Sequence, residues 1–143
     1  MNLKPLVVIL KTALEKMKNK KEQTFCTKLG VWLKTTNHPQ SMLIECKVSE
    51  TFGFDTKKIR ASQLGVMRRL LYGLPIVHKI SDSSVGSKLV DMIYISHKNT
   101  KIKPYVAVYF VQTKEAYLIP WSDIEMSVGM TVGLSEIKNH KIW

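Results

Sequence analysis

This chain is short of acid. Across 143 residues, 22 Lys+Arg face only 11 Asp+Glu, a formal net charge of +11 and a pI near 9.7. A folded chain this basic attracts polyanions. Nucleic acid is the leading class, with an anionic membrane surface or an acidic protein as rivals. Cysteine is scarcer still, Cys26 and Cys46 being the two in the chain. Two thiols exclude a disulfide framework and a zinc ribbon. They imply free thiols in a reducing compartment of cytoplasmic or nuclear type. No apolar run approaches the roughly 18–20 residues a membrane helix requires. The run at 6–10 is too short for a secretory core and is broken by Lys11. No P-loop, G-x-G-x-x-G or G-x-S-x-G motif is present. His38, His78, His97 and His140 are scattered without metal-ligand spacing.

The hydrophobic share, 45%, suffices for one core, so residues 1–143 read as one domain. Residues 4–19 predict an amphipathic helix: Leu6, Ile9, Leu10, Ala13, Leu14 and Met17 recur at helical spacing. Residues 27–34 predict a strand, with Leu29, Val31 and Leu33 on one side. The Thr35-Thr36-Asn37-His38-Pro39 turn then leads into a second strand at 40–48, as an antiparallel hairpin. Residues 49–55 predict a loop. A basic helix is expected from Asp55 or Thr56, either of which suits an N-cap, to about Tyr72, ending at Gly73-Leu74-Pro75. Its apolar stripe is Ile59, Val66, Met67 and Leu70, and Gln63 falls on that stripe, facing inward. The segment 73–103 is a candidate insertion, with a loop at 81–87, a strand near 89–95 and a turn at 97–101. Tyr105–Val111, apolar on both faces, predicts a central strand, followed by a partner strand at 116–120. Trp121-Ser122-Asp123-Ile124 predicts a short helix capped by Ser122 or Asp123, and the tail from Gly133 a peripheral basic segment. Met67 and Met92 suit core filling, and Trp32 and Trp121 suit packing anchors.

The stretch richest in chemistry is Glu45-Cys46-Lys47, at the end of Met42-Leu43-Ile44. Strand side chains alternate faces, so Glu45 and Lys47 point one way and Met42, Ile44, Cys46 and Val48 the other. One face suits a core and the other suits chemistry on an anion. A carboxylate can hold Mg²⁺, and an adjacent lysine can steady or deprotonate an attacking water or neutralise charge developing on phosphorus.

Three features carry a family resemblance: Leu43-Ile44-Glu45-Cys46-Lys47 on a strand; Ser62-Gln63-Leu64 in the next helix; and Ala107-Val108-Tyr109-Phe110, followed by Ala116-Tyr117-Leu118-Ile119-Pro120-Trp121-Ser122-Asp123-Ile124. In this order, over about residues 27–125, the chain resembles the PD-(D/E)xK nucleases, in particular RecU-like and archaeal-type Holliday-junction resolvases. The resemblance implies an α/β, restriction-endonuclease-like fold with a central mixed sheet flanked by helices. It implies a structure-selective, Mg²⁺- or Mn²⁺-dependent DNA endonuclease with Glu45 as metal ligand and Lys47 as catalytic lysine. Gln63 would orient water or substrate, and the backbone carbonyl of Cys46 would complete the metal shell. Lys57, Lys58, Arg60, Arg68 and Arg69 would meet phosphates of branched or duplex DNA. A homodimer also follows from the resemblance. Small size and a lone nuclease domain fit a phage, mobile-element or archaeal-type accessory role, and the lack of a long apolar run leads to no membrane partner being expected. The chain departs from the family at one place. The family's aspartate upstream of E-x-K has no counterpart, since no aspartate precedes Asp55. Asn37, His38 and Gln40 are the stand-ins in the turn, and Glu15 or Glu22 those in the N-terminal segment. Two readings follow: a nuclease with an altered metal site, or a nuclease-fold module that binds DNA or RNA without cutting it, alone or as a subunit of a larger assembly.

Overall fold

The computed structural model describes residues 4–38, 40–81, 89–95 and 102–143; for 4–19, 78–81, 89–93 and 95 it describes the backbone alone. Helix α1 spans Lys4–Thr36, so the strand expected at 27–34 is helix, and the hairpin built on it does not form. The physical reason is the spacing of the contacts. Phe25 and Leu29, one helical turn apart, are 3% and 2% exposed, and Trp32 and Leu33 pack on the same cluster. Val31, which an alternating strand would have placed beside Leu29, is 58% exposed. The threonines of this stretch fit the helix by bonding back along it. Thr24, Thr27 and Thr36 donate their hydroxyls to the carbonyls of Lys20, Gln23 and Trp32. Asn37, in the left-handed region at φ 49°, ends the helix. Its N–H bonds Lys34 O and the His38 N–H bonds Leu33 O, a pattern that satisfies the last carbonyls.

Strand β1 (Ser41–Ser49) follows, then the short β2 (Gly53–Asp55) inside the expected loop. The basic helix comes in two pieces: a 3-10 turn at Thr56–Lys58, which Asp55 caps through the Lys57 N–H, and α2 at Ala61–Leu71. Between them Arg60 is extended, with ψ 152°. The Gly73 exit holds as expected, with φ 71° and the Leu74 N–H bonded to Arg69 O. Strands β3 (Ile76–Ser81) and β4 (Leu89–Ile95) form an antiparallel pair in the candidate insertion. The strand expected near 89–95 is present; β3 had no counterpart in the sequence reading. The loop expected beyond Ser81 and the turn at 97–101 lie outside the described residues. Strands β5 (Ile102–Phe110) and β6 (Glu115–Pro120) are antiparallel neighbours.

The protein is α/β, with a mixed three-stranded sheet in the order β1-β5-β6 flanked by helices, consistent with a nuclease-like α/β fold. β1 runs parallel to β5, with Glu45 opposite Val106 and Lys47 opposite Val108. Central β5 is apolar on both faces because both are covered. Val106, Val108 and Phe110 enter the cluster with α2, Ile119 and Trp121, whereas Ala107 and Tyr109 enter the one beneath α1. Helix α3 (Trp121–Ile124) starts after Pro120 with no side-chain cap, so neither Ser122 nor Asp123 serves as one. Trp121 anchors its cluster at 0% exposed and Met67 fills the same core at 2%.

The tail is not peripheral. Strand β7 (Thr131–Gly133) pairs with β2. The Ile142 N–H bonds Ala116 O, and the Ala116 N–H bonds Trp143 O. Trp143 lies against Phe25 and Trp32 at ring distances of 6.1 and 6.2 Å. Buried Thr56 ties the loop before β7 into the fold, donating to the Ser127 and Met130 carbonyls and accepting from the Gly129 N–H. Among the described residues, no helix is long and apolar enough to cross a membrane.

Candidate active site

Strand alternation sorts β1 as the sequence predicts. Met42, Ile44, Cys46 and Val48 join the cluster under α1, and Glu45 and Lys47 face the α2 side. Lys47 Nζ lies 3.2 Å from Glu45 Oε1, with the lysine side chain 8% and the glutamate side chain 25% exposed. An ammonium taken this far out of water requires a partner, and Glu45 supplies it.

Gln63 completes the group. Its Nε2 donates to Glu45 Oε1 at 2.6 Å, and its Oε1 accepts from the Arg60 N–H at 2.9 Å. The helix-capping bond orients the amide so that its donor end faces the carboxylate. Glu45 Oε1 therefore receives both Lys47 and Gln63, while Oε2 has no hydrogen-bond partner among the described residues. Sequence reasoning placed Gln63 inward but missed that it caps α2. The signal was available in its place three residues after Arg60, where a helix N-terminus favours Gln or Glu.

Backbone direction decides where the Cys46 carbonyl points. Ser49 O bonds the Val111 N–H across to the β5 chain. Carbonyls alternate sides along a strand, so those of Lys47 and Glu45 face β5 and that of Cys46 faces the outer edge of β1. Among the described residues no strand pairs with that edge. The Cys46 side chain is no ligand. Burial pushes its thiol up to about 12, with the Cys26 thiol and the charges of Glu45 and Glu22 adding to the rise.

The stand-ins for the family's aspartate are not brought to Glu45. Asn37 caps α1. His38 Nδ1 accepts from the Gln40 N–H, and Gln40 Oε1 accepts from Tyr105 Oη. All precede Ser41, and from Ser41 to Glu45 the strand climbs about 13 Å. Glu22 acts on the Cys46 thiol, which belongs to the opposite face from Glu45. Side chains of 4–19, Glu15 included, lie outside the described residues. Among those described, no group of three His, Cys, Asp or Glu is arranged to hold a metal ion.

The basic residues divide into two sets. Lys57, Lys58 and Arg60 are exposed, the two lysines in the 3-10 turn that precedes α2 and Arg60 at its N-cap, three residues before Gln63, at the end of the helix where the macrodipole adds positive potential. Arg68 and Arg69 sit at the other end and are engaged. Arg68 Nε bonds Glu125 Oε1 at 2.7 Å, and Arg69 Nε bonds Pro75 O at 2.9 Å. Glu125, unremarked in the sequence, also accepts from Trp121 Nε1. Its spacing of four from Trp121 was the one cue available. No family model, curated protein or solved structure matches the chain.

Proposed function

We propose that this protein is a metal-dependent, structure-selective DNA endonuclease of the PD-(D/E)xK kind, similar to Holliday-junction resolvases. The observation that carries the reading is the convergence of Glu45, Lys47 and Gln63 beside the cationic start of α2. The donor set fits a hard cation in its simplest form. Mg²⁺ is commonly held by one or two carboxylates and retains several waters. Glu45 Oε2 and the outward carbonyl of Cys46 are the two oxygens that would hold it. When bound, the ion would polarise a phosphate oxygen and lower the pKa of a water.

The chain's own groups have separate tasks. Gln63 holds the Glu45 carboxylate in one orientation. Lys47, nearly excluded from water, presents fixed positive charge to a phosphodiester whose negative charge grows as water attacks. Lys57, Lys58 and Arg60 grip the flanking phosphates, a sequence-independent contact. Arg68 and Arg69 contribute less, their guanidinium groups being occupied within the fold.

A four-way junction incubated with Mg²⁺ or Mn²⁺ tests the reading. Cleavage is expected from the wild type, with a loss of at least about 100-fold in Lys47→Met and in Glu45→Gln, the scale on which a preorganised charged group acts. Gln63→Leu is expected to lose less. The ion pair between Lys47 and Glu45 also supports a second reading, since a carboxylate neutralised by its own lysine is poorer at holding a cation. In that reading the fold binds DNA or RNA without cutting. Junction binding with a steep salt dependence and no cleavage in either metal would select it.

A further inference from the structure

The opposite face of the sheet carries a concavity. It lies between α1 and the end of β5, with a volume of about 530 Å³, within the size range of small-ligand sites. Phe25, Tyr109 and Val111 line its floor, and Lys20, Lys21 and Lys28 its rim. Phe25 and Tyr109 stack at 5.5 Å and 28°. Tyr109 is in register with Val48, as Val108 is with Lys47. By strand alternation the groove therefore opens away from Glu45, Lys47 and Gln63.

Its charge is of one sign. No acidic side chain lines it. Lys21 reaches out to Glu50 at 2.7 Å and Lys28 lies 5.4 Å from the centroid of the Trp143 ring. Lys20 has no acidic partner among the described residues. Lys20 and Lys28, eight residues apart on one helix, bracket about 12 Å. An aromatic floor under an ammonium rim matches a flat ring that carries an anionic phosphate. We propose that this groove binds an unpaired nucleotide of a single-stranded nucleic acid, its base against Tyr109 and its phosphates on Lys20 and Lys28.

Two features separate this ligand from an acyl carboxylate. A small amphiphile is held by burying most of its surface, whereas the helix-side wall here consists of exposed Lys20, Lys21 and Thr24, so a polymer can enter and leave along it. The floor also lacks the Asn, Gln or Arg side chains that read base edges, so binding is by stacking and charge and is indifferent to sequence. The inference goes beyond the proposed cleavage. It shares with it only the premise that the partner is nucleic acid.

Fluorescence anisotropy of a labelled twelve-residue oligothymidylate with the full-length chain in EDTA provides the test. Oligothymidylate and oligoadenylate are expected to bind within a few-fold of each other. Tyr109→Leu should weaken both about tenfold, and Tyr109→Phe should restore them. The double variant Lys20→Ala/Lys28→Ala should flatten the slope of log K against log salt by about 1.4, two phosphates' worth on a single strand. Circular dichroism confirms that each variant is folded. Unchanged affinity and slope in the folded variants would overturn the proposal. So would a fluorescent long-chain fatty acid binding the groove with the same Tyr109 dependence while the oligonucleotides do not. Groove binding by the wild type without Mg²⁺-dependent cleavage would support this inference while sinking the nuclease reading.

Discussion

One strand of this protein lives in two solvents. On the α1 side, β1 presents Met42, Ile44, Cys46 and Val48 to an aromatic and aliphatic cluster. There burial keeps the Cys46 thiol protonated, up to about 12. On the α2 side, a residue away in either direction, the same strand holds a carboxylate and a nearly buried ammonium 3.2 Å apart. The first arrangement is what folding favours. The second is not, because desolvating two charges offsets most of their attraction, and well-packed apolar residues commonly do as well or better. A nearly buried lysine paired with a one-quarter-exposed acid, beside an amide that fixes the carboxylate's orientation, is therefore not accounted for by stability alone.

Removing one member of that pair is the largest perturbation this comparison offers. Glu45→Ala strands the Lys47 ammonium at 8% exposure and should cost about 3–5 kcal/mol of unfolding free energy. Lys47→Met leaves a carboxylate that is one-quarter exposed and still bonded to Gln63, and should cost much less. Adding Lys47→Met to Glu45→Ala should recover most of the loss. Urea unfolding of the two single variants and the double variant closes the cycle. Additive costs would mean that the pair is not energetically coupled, and the contrast between the faces would fail.

The α1 face makes the next largest claim, and it tests the point at which sequence and structure part. Leu29→Ala should cost about 2–5 kcal/mol as a core truncation, whereas Val31→Ala should change stability by less than about 0.5 kcal/mol. A strand at 27–34 would make the two similar. Leu29, Val31 and Leu33 alternate in the sequence, and that pattern was legible but misleading. Phe25, Leu29, Trp32 and Leu33 recur at helical spacing in the same stretch, and only the sheet they pack against, assembled from β1 nearby and from β5 and β6 far along the chain, selects between the two. The same long-range dependence hid the parallel pairing of β1 with β5, since pairing partners leave no local trace in either strand. What depends on one residue and its near neighbours was readable. The two-faced character of β1, the doubly buried β5, the inward Gln63 and the Gly73 exit all follow from local alternation, spacing or turn chemistry. The tail, read as peripheral from its charge, is held by backbone bonds from Ile142 and to Trp143 that no side-chain pattern announces.

Alkaline pH sharpens the contrast in a graded way. Cys46 is raised from an ordinary value near 9 to about 12, by burial first, and Tyr117 from near 10 to about 12, by burial and then by its bond to Glu115. A raised pKa on a neutral acid means that the folded state keeps a proton the unfolded chain gives up. Stability from these groups is full below pH 9 and declines as pH rises towards 12, by no more than about 1.4 kcal/mol per pH unit per group. In Cys46→Ala the decline should begin nearer pH 10, where Tyr117 alone contributes. An unchanged onset would mean that the α1 face does not hold the thiol protonated. Iodoacetamide at neutral pH should modify exposed Cys26 and spare Cys46 until the protein unfolds.

The smallest effect carries the opposite sign. Gly30 lies in the half of α1 that the sequence suggested was strand. A Cβ built there meets nothing within 4 Å, and its φ is not in the left-handed region, so the residue performs no conformational service that alanine could not. In a helix interior, glycine costs about 0.5–1 kcal/mol relative to alanine, mostly through the freedom it loses on folding. Gly30→Ala should therefore raise stability by about that amount. Were residues 27–34 extended, glycine would be costly there too, but β-branched valine would gain more than alanine, whereas in a helix alanine gains more than valine. A larger rise in the urea midpoint for Gly30→Ala than for Gly30→Val, at constant m-value, thus reports the helix that closes the α1 face, from a position where an added Cβ meets nothing within 4 Å.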